Sequence, residues 1–181
     1  MNKKYVLISA ITAVIVIIVF CIIFFVCTHT DGYKDLEATD GKFKVSIPTS
    51  INYTINSKEN NDFTIDLYSK QDEMYMYATT ISKMRELDLL EVATDDKTEY
   101  FKDKENIRED SGIIQTTINN YKACEYNLVY YDKEYGKDFY CNVVWLETQN
   151  YIYVFNFEVV NNNADKYKDI FINIKNSFVE L

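Results

Sequence analysis

From Tyr5 to Cys27 the chain carries no charge, no glycine and no proline, and only Ser9 and Thr12 are clearly polar. Such a run can satisfy its whole backbone inside one helix, and at about 1.5 Å per residue it reaches roughly 34 Å, enough to cross a hydrocarbon core. A cleavable signal peptide has a shorter apolar stretch, about 7 to 15 residues, followed by a small-x-small site. Neither feature is present. Lipid attachment needs a small residue just before the acylated cysteine, but Cys21 follows Phe20 and Cys27 follows Val26. Lys3 and Lys4 lie on one side of the run and Asp31, Asp35 and Glu37 on the other, which by the positive-inside rule puts the N-terminus in the cytoplasm.

The expected organisation is therefore a cytoplasmic tip over residues 1–4, a transmembrane anchor over 5–27, a polar tether over 28–40 and an extracytoplasmic domain over 41–181. The protein is expected in the plasma membrane, single-pass, with its C-terminal domain outside. Cys21 and Cys27 read as lipid-facing side chains in preference to palmitoylation sites or a disulfide within the membrane.

The outer part is long enough for one domain with one core. The whole chain has 19 basic and 28 acidic side chains; without Lys3 and Lys4 the outer part has 17 against 28, a balance of −11. That charge repels phosphate backbones and anionic headgroups, which argues against nucleic acid as a partner. The wealth of Ile, Lys, Asn, Tyr and Glu hints at an AT-rich bacterial genome.

Alternation sets in at Lys42, where Phe43, Val45 and Ile47 point one way before Pro48 stops the strand. Phe63, Ile65 and Leu67 repeat the pattern. Met74 to Ser82 is a third strand, with Met74, Met76 and Ala78 on one face and Tyr75, Tyr77 and Ile81 on the other. From about Arg85 to Lys104 the period becomes helical, through Leu87, Leu90, Ala93, Tyr100 and Phe101, with a break expected at Asp95-Asp96. Four strands follow, Ile113 to Ile118, Tyr121 to Tyr131, Phe139 to Glu147 and Tyr151 to Val160, joined by connectors of hairpin length. Tyr167, Ile170, Phe171, Ile174 and Phe178 then mark the clearest amphipathic helix. The expected fold class is α+β: an antiparallel β-sheet of about six to seven strands covered by two helices, preceded by the membrane helix.

Cys124 and Cys141 fall on neighbouring strands four or five positions out of register. That offset is too large for a disulfide, so buried free thiols are expected. The strand ending in Ile47-Pro48, the mid-chain helix, the hairpin leading into Ala123 and the closing Ile174-Lys-Asn-Ser-Phe178 resemble the PsbP-like superfamily, over roughly Gly41 to Leu181. The resemblance implies the same fold. Asn120 stands where relatives often have glycine, a substitution that a left-handed turn tolerates, and Tyr53 takes the place of an aromatic that commonly follows the proline. No residues match those by which the photosystem or Ran-binding members engage their partners.

The chain's one histidine, His29, lies beside the membrane, so the outer domain has no base for a Ser-His-Asp or Cys-His apparatus and no histidine for a zinc site. There is no phosphate-binding glycine loop. Asp95, Asp96, Glu99, Asp103 and Glu105 lack the spacing of a calcium loop and read as a solvated helix face. No catalytic, cofactor-binding or metal residue is singled out, no cofactor is expected, and the chain is not expected to be an enzyme. Tyr75, Tyr77, Tyr126, Tyr130, Tyr131, Tyr140, Tyr151 and Tyr153 fall in strands, where they either cap the core and line cross-strand pairs or offer a contact surface. The expected function is a membrane-anchored binding or scaffolding module whose partner is another envelope protein. The alternatives are a small-ligand or cell-wall glycan receptor using a tyrosine-lined concavity, and last an envelope hydrolase.

Overall fold

The computed structural model describes residues 32–55, 63–83, 88–102, 104 and 106–181. The expected membrane span and His29 lie outside them. Among the described residues no helix is long and apolar enough to cross a membrane.

The element order is β1 (Tyr33–Glu37), β2 (Phe43–Pro48), β3 (Thr54–Ile55), β4 (Ile65–Ser69), β5 (Met74–Ser82), α1 (Leu89–Lys102), β6 (Ile107–Asp110), β7 (Ile114–Ile118), β8 (Tyr121–Asp132), β9 (Lys137–Glu147), β10 (Tyr151–Val160), α2 (Ala164–Asn176) and β11 (Val179–Glu180). A one-turn 3-10 segment, Asn161–Asn163, leads into α2. The main sheet is antiparallel, in the order β3-β4-β5-β10-β9-β8-β6, with β7 beside β6 along the same edge of β8. A second, small antiparallel sheet runs β1-β2-β11. This is an α+β fold built on a mostly antiparallel sheet with two helices.

Strand alternation divides the side chains of the main sheet between two cores. On one face Met74, Met76, Ala78, Val144, Leu146, Tyr153, Phe155 and Phe157 meet Phe43, Val45 and Ile47 of the small sheet and Tyr167, Phe171 and Ile174 of α2. On the other face Tyr126, Leu128, Val143, Trp145, Ile152 and Val154 lie under Leu89 and Ala93 of α1. Because the central strands are covered on both sides, β9 and β10 read as near-continuous apolar runs. Phe43 is the hinge of the first core, its ring 5.1 Å from Tyr153, 5.5 Å from Phe155 and 5.7 Å from Phe178.

Three expectations need correction. Residues 33–37 lie in the stretch expected to be a tether, yet they form a strand that pairs with β2 from Tyr33↔Pro48 to Glu37↔Lys44. The strand was hidden because its side chains are exposed, all but Leu36. Its polar residues work across the pair: Asp35 takes bonds from Lys44 at 2.6 Å and Ser46 at 2.9 Å. Next, α1 runs unbroken through Asp95-Asp96. Asp96 accepts the Trp145 indole N–H at 2.9 Å, and the Lys97 ammonium reaches Asp110 at 2.7 Å, so tertiary contacts override a weak local propensity. Asp96 thereby leaves the solvated acidic face to which the sequence assigned it. Finally, the described residues hold eleven strands against the six or seven expected. The extra ones are short or wholly exposed, as in β3 and β6, and give no alternation to read.

Candidate functional site

Apart from the Tyr153 hydroxyl, Asn156 and Glu158 are the only polar side chains in the interior of β10, and their parity puts both on the α1 face. Pairing carries that face across the sheet in rows. One row runs Asp66, Tyr77, Asn156 and Val143, and the next Tyr68, Tyr75, Glu158 and Cys141. Beyond it Val160, Phe139 and Tyr130 stand opposite one another. A central strand thus delivers a carboxylate between tyrosines.

The first row is closed off. Asn156 Nδ2 donates to the Tyr77 hydroxyl at 2.6 Å, and its Oδ1 accepts from the Cys141 thiol at 3.4 Å. The Tyr100 hydroxyl, from the last turn of α1, lies 3.7 Å from Cys141 Sγ and donates to Glu158. Burial pushes the Tyr100 phenol far up, with Cys141 and Glu158 adding to it, so the proton stays on the phenol and the carboxylate accepts. Lys104, just past the helix, pairs with Glu158 at 3.6 Å and donates to the Tyr130 hydroxyl at 2.9 Å. Its ammonium also lies 4.2 Å from the Tyr130 ring centroid and 4.8 Å from that of Tyr100, a favourable place for a cation.

Past Lys102 the helix no longer covers the sheet, and a cleft of about 410 Å³ opens, within the range of small-molecule sites. Glu158 and Lys104 form its floor. One wall is Tyr130, Phe139 and Tyr135; Tyr130 stacks on Phe139 at 5.9 Å and Tyr135 meets Phe139 edge-on at 5.8 Å. The facing wall is Tyr68 and Tyr75. Tyr75 is fixed by a hydrogen bond to Asp66 and its phenol is pushed up, by burial first and then by that acid.

The rim is built by two turns. Asp132 Oδ1 accepts the backbone N–H of Glu134 at 2.8 Å and of Tyr135 at 3.0 Å, which shapes the β8–β9 hairpin and raises Tyr135 on its tip. Lys137 of that hairpin pairs with Glu73 in the β4–β5 turn, tying one wall to the other. Tyr135 is 64% exposed and Tyr68 39%, so the rim offers aromatic faces to solvent while the floor is polar and half-buried.

Of the eight tyrosines noted from sequence, Tyr75 and Tyr130 line the cleft. Tyr126, Tyr140 and Tyr153 are buried in the cores, Tyr77 is held by Asn156, and Tyr131 and Tyr151 are half-buried. Sequence reasoning missed Tyr68, Lys104, Tyr135, Phe139 and Glu158. One signal was available: an acid and an amide two apart on the same face of an otherwise apolar strand. The two cysteines stand as expected, both free and buried, with Leu128 opposite Cys141 and Trp145 opposite Cys124. Burial raises both thiol pKa values and nearby acids raise them further, outweighing the lowering of Cys141 by Tyr100 and Lys104, the opposite of an activated nucleophile.

No protein-family model matches the chain, and no curated protein matches it by sequence. Among solved structures it is similar to LpqN of Mycobacterium tuberculosis, a protein involved in cell envelope biogenesis, with a TM-score of 0.58 and 11% identity over 86% of this chain and 94% of that one. It is also similar to the cyanobacterial PsbP (CyanoP) of a Synechocystis species, with a TM-score of 0.55 and 10% identity over 83% of this chain and 94% of that one. Asn119 and Asn120 are both left-handed, at φ 50° and 68°, so the turn expected to survive without glycine does so. Tyr53 packs against the core. By these structural likenesses the chain has the PsbP-like fold.

Proposed function

We propose that this chain is a single-pass bacterial membrane protein whose outer domain binds a component of the cell envelope as an accessory module, without catalysis. The observation that carries the reading is the cleft. Rings from two walls enclose a carboxylate and an ammonium on one preformed concave surface, which is the composition of a recognition site.

The setting is supported by the apolar run from Tyr5 to Cys27 with Lys3 and Lys4 before it, and by the fold shared with LpqN, described as acting in envelope biogenesis. A role in binding is supported by the raised pKa values of both outer thiols and by the position of the sole histidine at His29. The partner we favour is another envelope protein. The acidic balance of the outer part speaks against nucleic acid. A second reading, a receptor for a small ligand or glycan, is favoured by the volume of the cleft, about 410 Å³, and is developed below.

The test is made in intact cells. A protease added from outside should digest the domain in cells carrying the full chain, and crosslinked membranes should yield a partner on pull-down that is lost when Tyr135 and Tyr68 are both replaced by alanine. A domain protected until the cells are lysed would overturn the topology. A partner retained by the double variant would remove the cleft from the account.

A further inference from the structure

We infer that the cleft is a carbohydrate site that takes an uncharged pyranose ring, stacked on the aromatic rim with its hydroxyls on Glu158 and Lys104. The inference rests on the second reading above, the domain as an envelope-binding module that is a glycan receptor, and names what its cleft holds.

The argument goes by charge and by hydrogen-bonding capacity. An anion would enter a cleft lined by Glu73, Asp132 and Glu158, with Lys104 in the lining and Lys137 paired to Glu73 at the rim, so acids still outnumber bases there, in a domain that is itself acidic, and like charges oppose it. A cation finds its best position already filled. Lys104 sits over the Tyr130 ring at 4.2 Å and beside Glu158 at 3.6 Å, so a second ammonium would meet the first. A wholly apolar ligand would strip water from the Glu158 carboxylate and the Lys104 ammonium and return no bonds.

An uncharged polyol meets all three conditions. A carboxylate has about four acceptor sites and an ammonium has three donors. Tyr100 and Tyr130 each use an acceptor site of Glu158, and the Tyr130 hydroxyl and Glu158 itself each engage the Lys104 ammonium. Both residues line the cleft, and the acceptor and donor capacity they have left matches hydroxyls, which both donate and accept. A pyranose also has an apolar C–H face, which fits against an aromatic ring. Tyr135 and Tyr68 present such rings at the rim, 64% and 39% exposed.

The experiment uses the full chain in lipid nanodiscs free of glycoside detergent, with four soluble probes: chitotetraose and cellotetraose (neutral), the glucosamine tetramer (cationic) and tetragalacturonate (anionic). Saturation-transfer NMR should show transfer to the ring C–H protons of at least one neutral tetramer and none to the uronate, with the cationic tetramer weaker than the neutral ones. Tyr135→Ala should weaken neutral binding about tenfold, the equivalent of one lost aromatic contact, and Tyr68→Ala should weaken it too. Ile114→Ala, on β7 opposite Glu125 of β8 and away from the cleft, should not.

No transfer to either neutral probe, binding that survives both tyrosine variants, or a preference for the cationic tetramer would each overturn the inference. If sugar binding is absent while a protein partner is still captured through Tyr135 and Tyr68 in cells, the glycan falls and the binding module stands. If both are absent, both fall.

Discussion

The Lys104 ammonium lies 3.6 Å from the Glu158 carboxylate, fastening the chain beyond α1 to the central strand of the main sheet. Tyr100 donates to the same carboxylate, so one charge holds two points at the end of the helix. Replacing Lys104 by Met leaves Glu158 largely covered with one partner fewer and should cost about 1–2 kcal/mol in urea denaturation. Glu158→Gln should cost less than Glu158→Ala, because the amide oxygen still accepts from Tyr100. Equal losses for the two Glu158 variants would show that the Tyr100 bond contributes nothing.

The bond from Trp145 to Asp96 predicts a pH dependence. Partial burial raises the Asp96 pKa, with the indole N–H pulling the other way. A carboxyl with a raised folded pKa favours the fold while protonated. That advantage is full below the unfolded value near 3.8 and is lost as pH rises through the folded value. Asp96→Asn keeps an acceptor for the indole and does not titrate, so relative to this variant the wild type should lose stability as pH rises from 3.8 through the raised folded value. Asp96→Ala, which strands a buried N–H, should be less stable than Asp96→Asn by about 1–2 kcal/mol throughout. A wild type that gains on Asp96→Asn as pH rises would reverse the assignment.

Adjacent residues in the β7–β8 turn should respond oppositely to glycine. Both are left-handed, but only Asn119 also donates from its side chain, to the carbonyls of Asn176 at 2.8 Å and Phe178 at 3.0 Å. Asn120→Gly should be neutral or stabilise by up to about 1 kcal/mol. Asn119→Gly should destabilise by about 1–2 kcal/mol, through bonds lost to the end of α2. Thermal melts of the two variants check this, and a common direction would contradict it.

The thiols of Cys124 and Cys141 should be inert in the folded domain. Both are buried with raised pKa values, and their strands place them four positions out of register. In full-length protein carrying Cys21→Ser and Cys27→Ser, a thiol reagent should label neither cysteine in native buffer and both in denaturant, with or without prior reduction. Labelling that requires reduction would reveal a disulfide.

What could be read from sequence depended on where side chains point. Strands with one buried face, such as β2 and β5, announce themselves by alternation at Phe43, Val45 and Ile47 or at Met74, Met76 and Ala78. The register of Cys124 and Cys141 followed from hairpin lengths alone. Strand β1 did not show, because its exposed residues are chosen for cross-strand polar contacts and not for a core. The continuity of α1 through Asp95-Asp96 depends on Trp145, which is distant in sequence. The cleft was only half legible: Tyr75 and Tyr130 stood out as strand tyrosines, whereas Lys104, Tyr135 and Glu158 come together only once the sheet is ordered β5-β10-β9-β8.

The most direct test of the central claim, that the cleft is the domain's working surface, is photo-crosslinking in living cells. A benzophenone amino acid is placed at position 135 on the cleft rim, or at position 114 on the far part of the β8 edge, both solvent-exposed. The account predicts a discrete envelope adduct from position 135 that fades when Glu158 is also replaced by alanine, and none from position 114. An adduct from 114 alone, or one from 135 indifferent to Glu158, would contradict it.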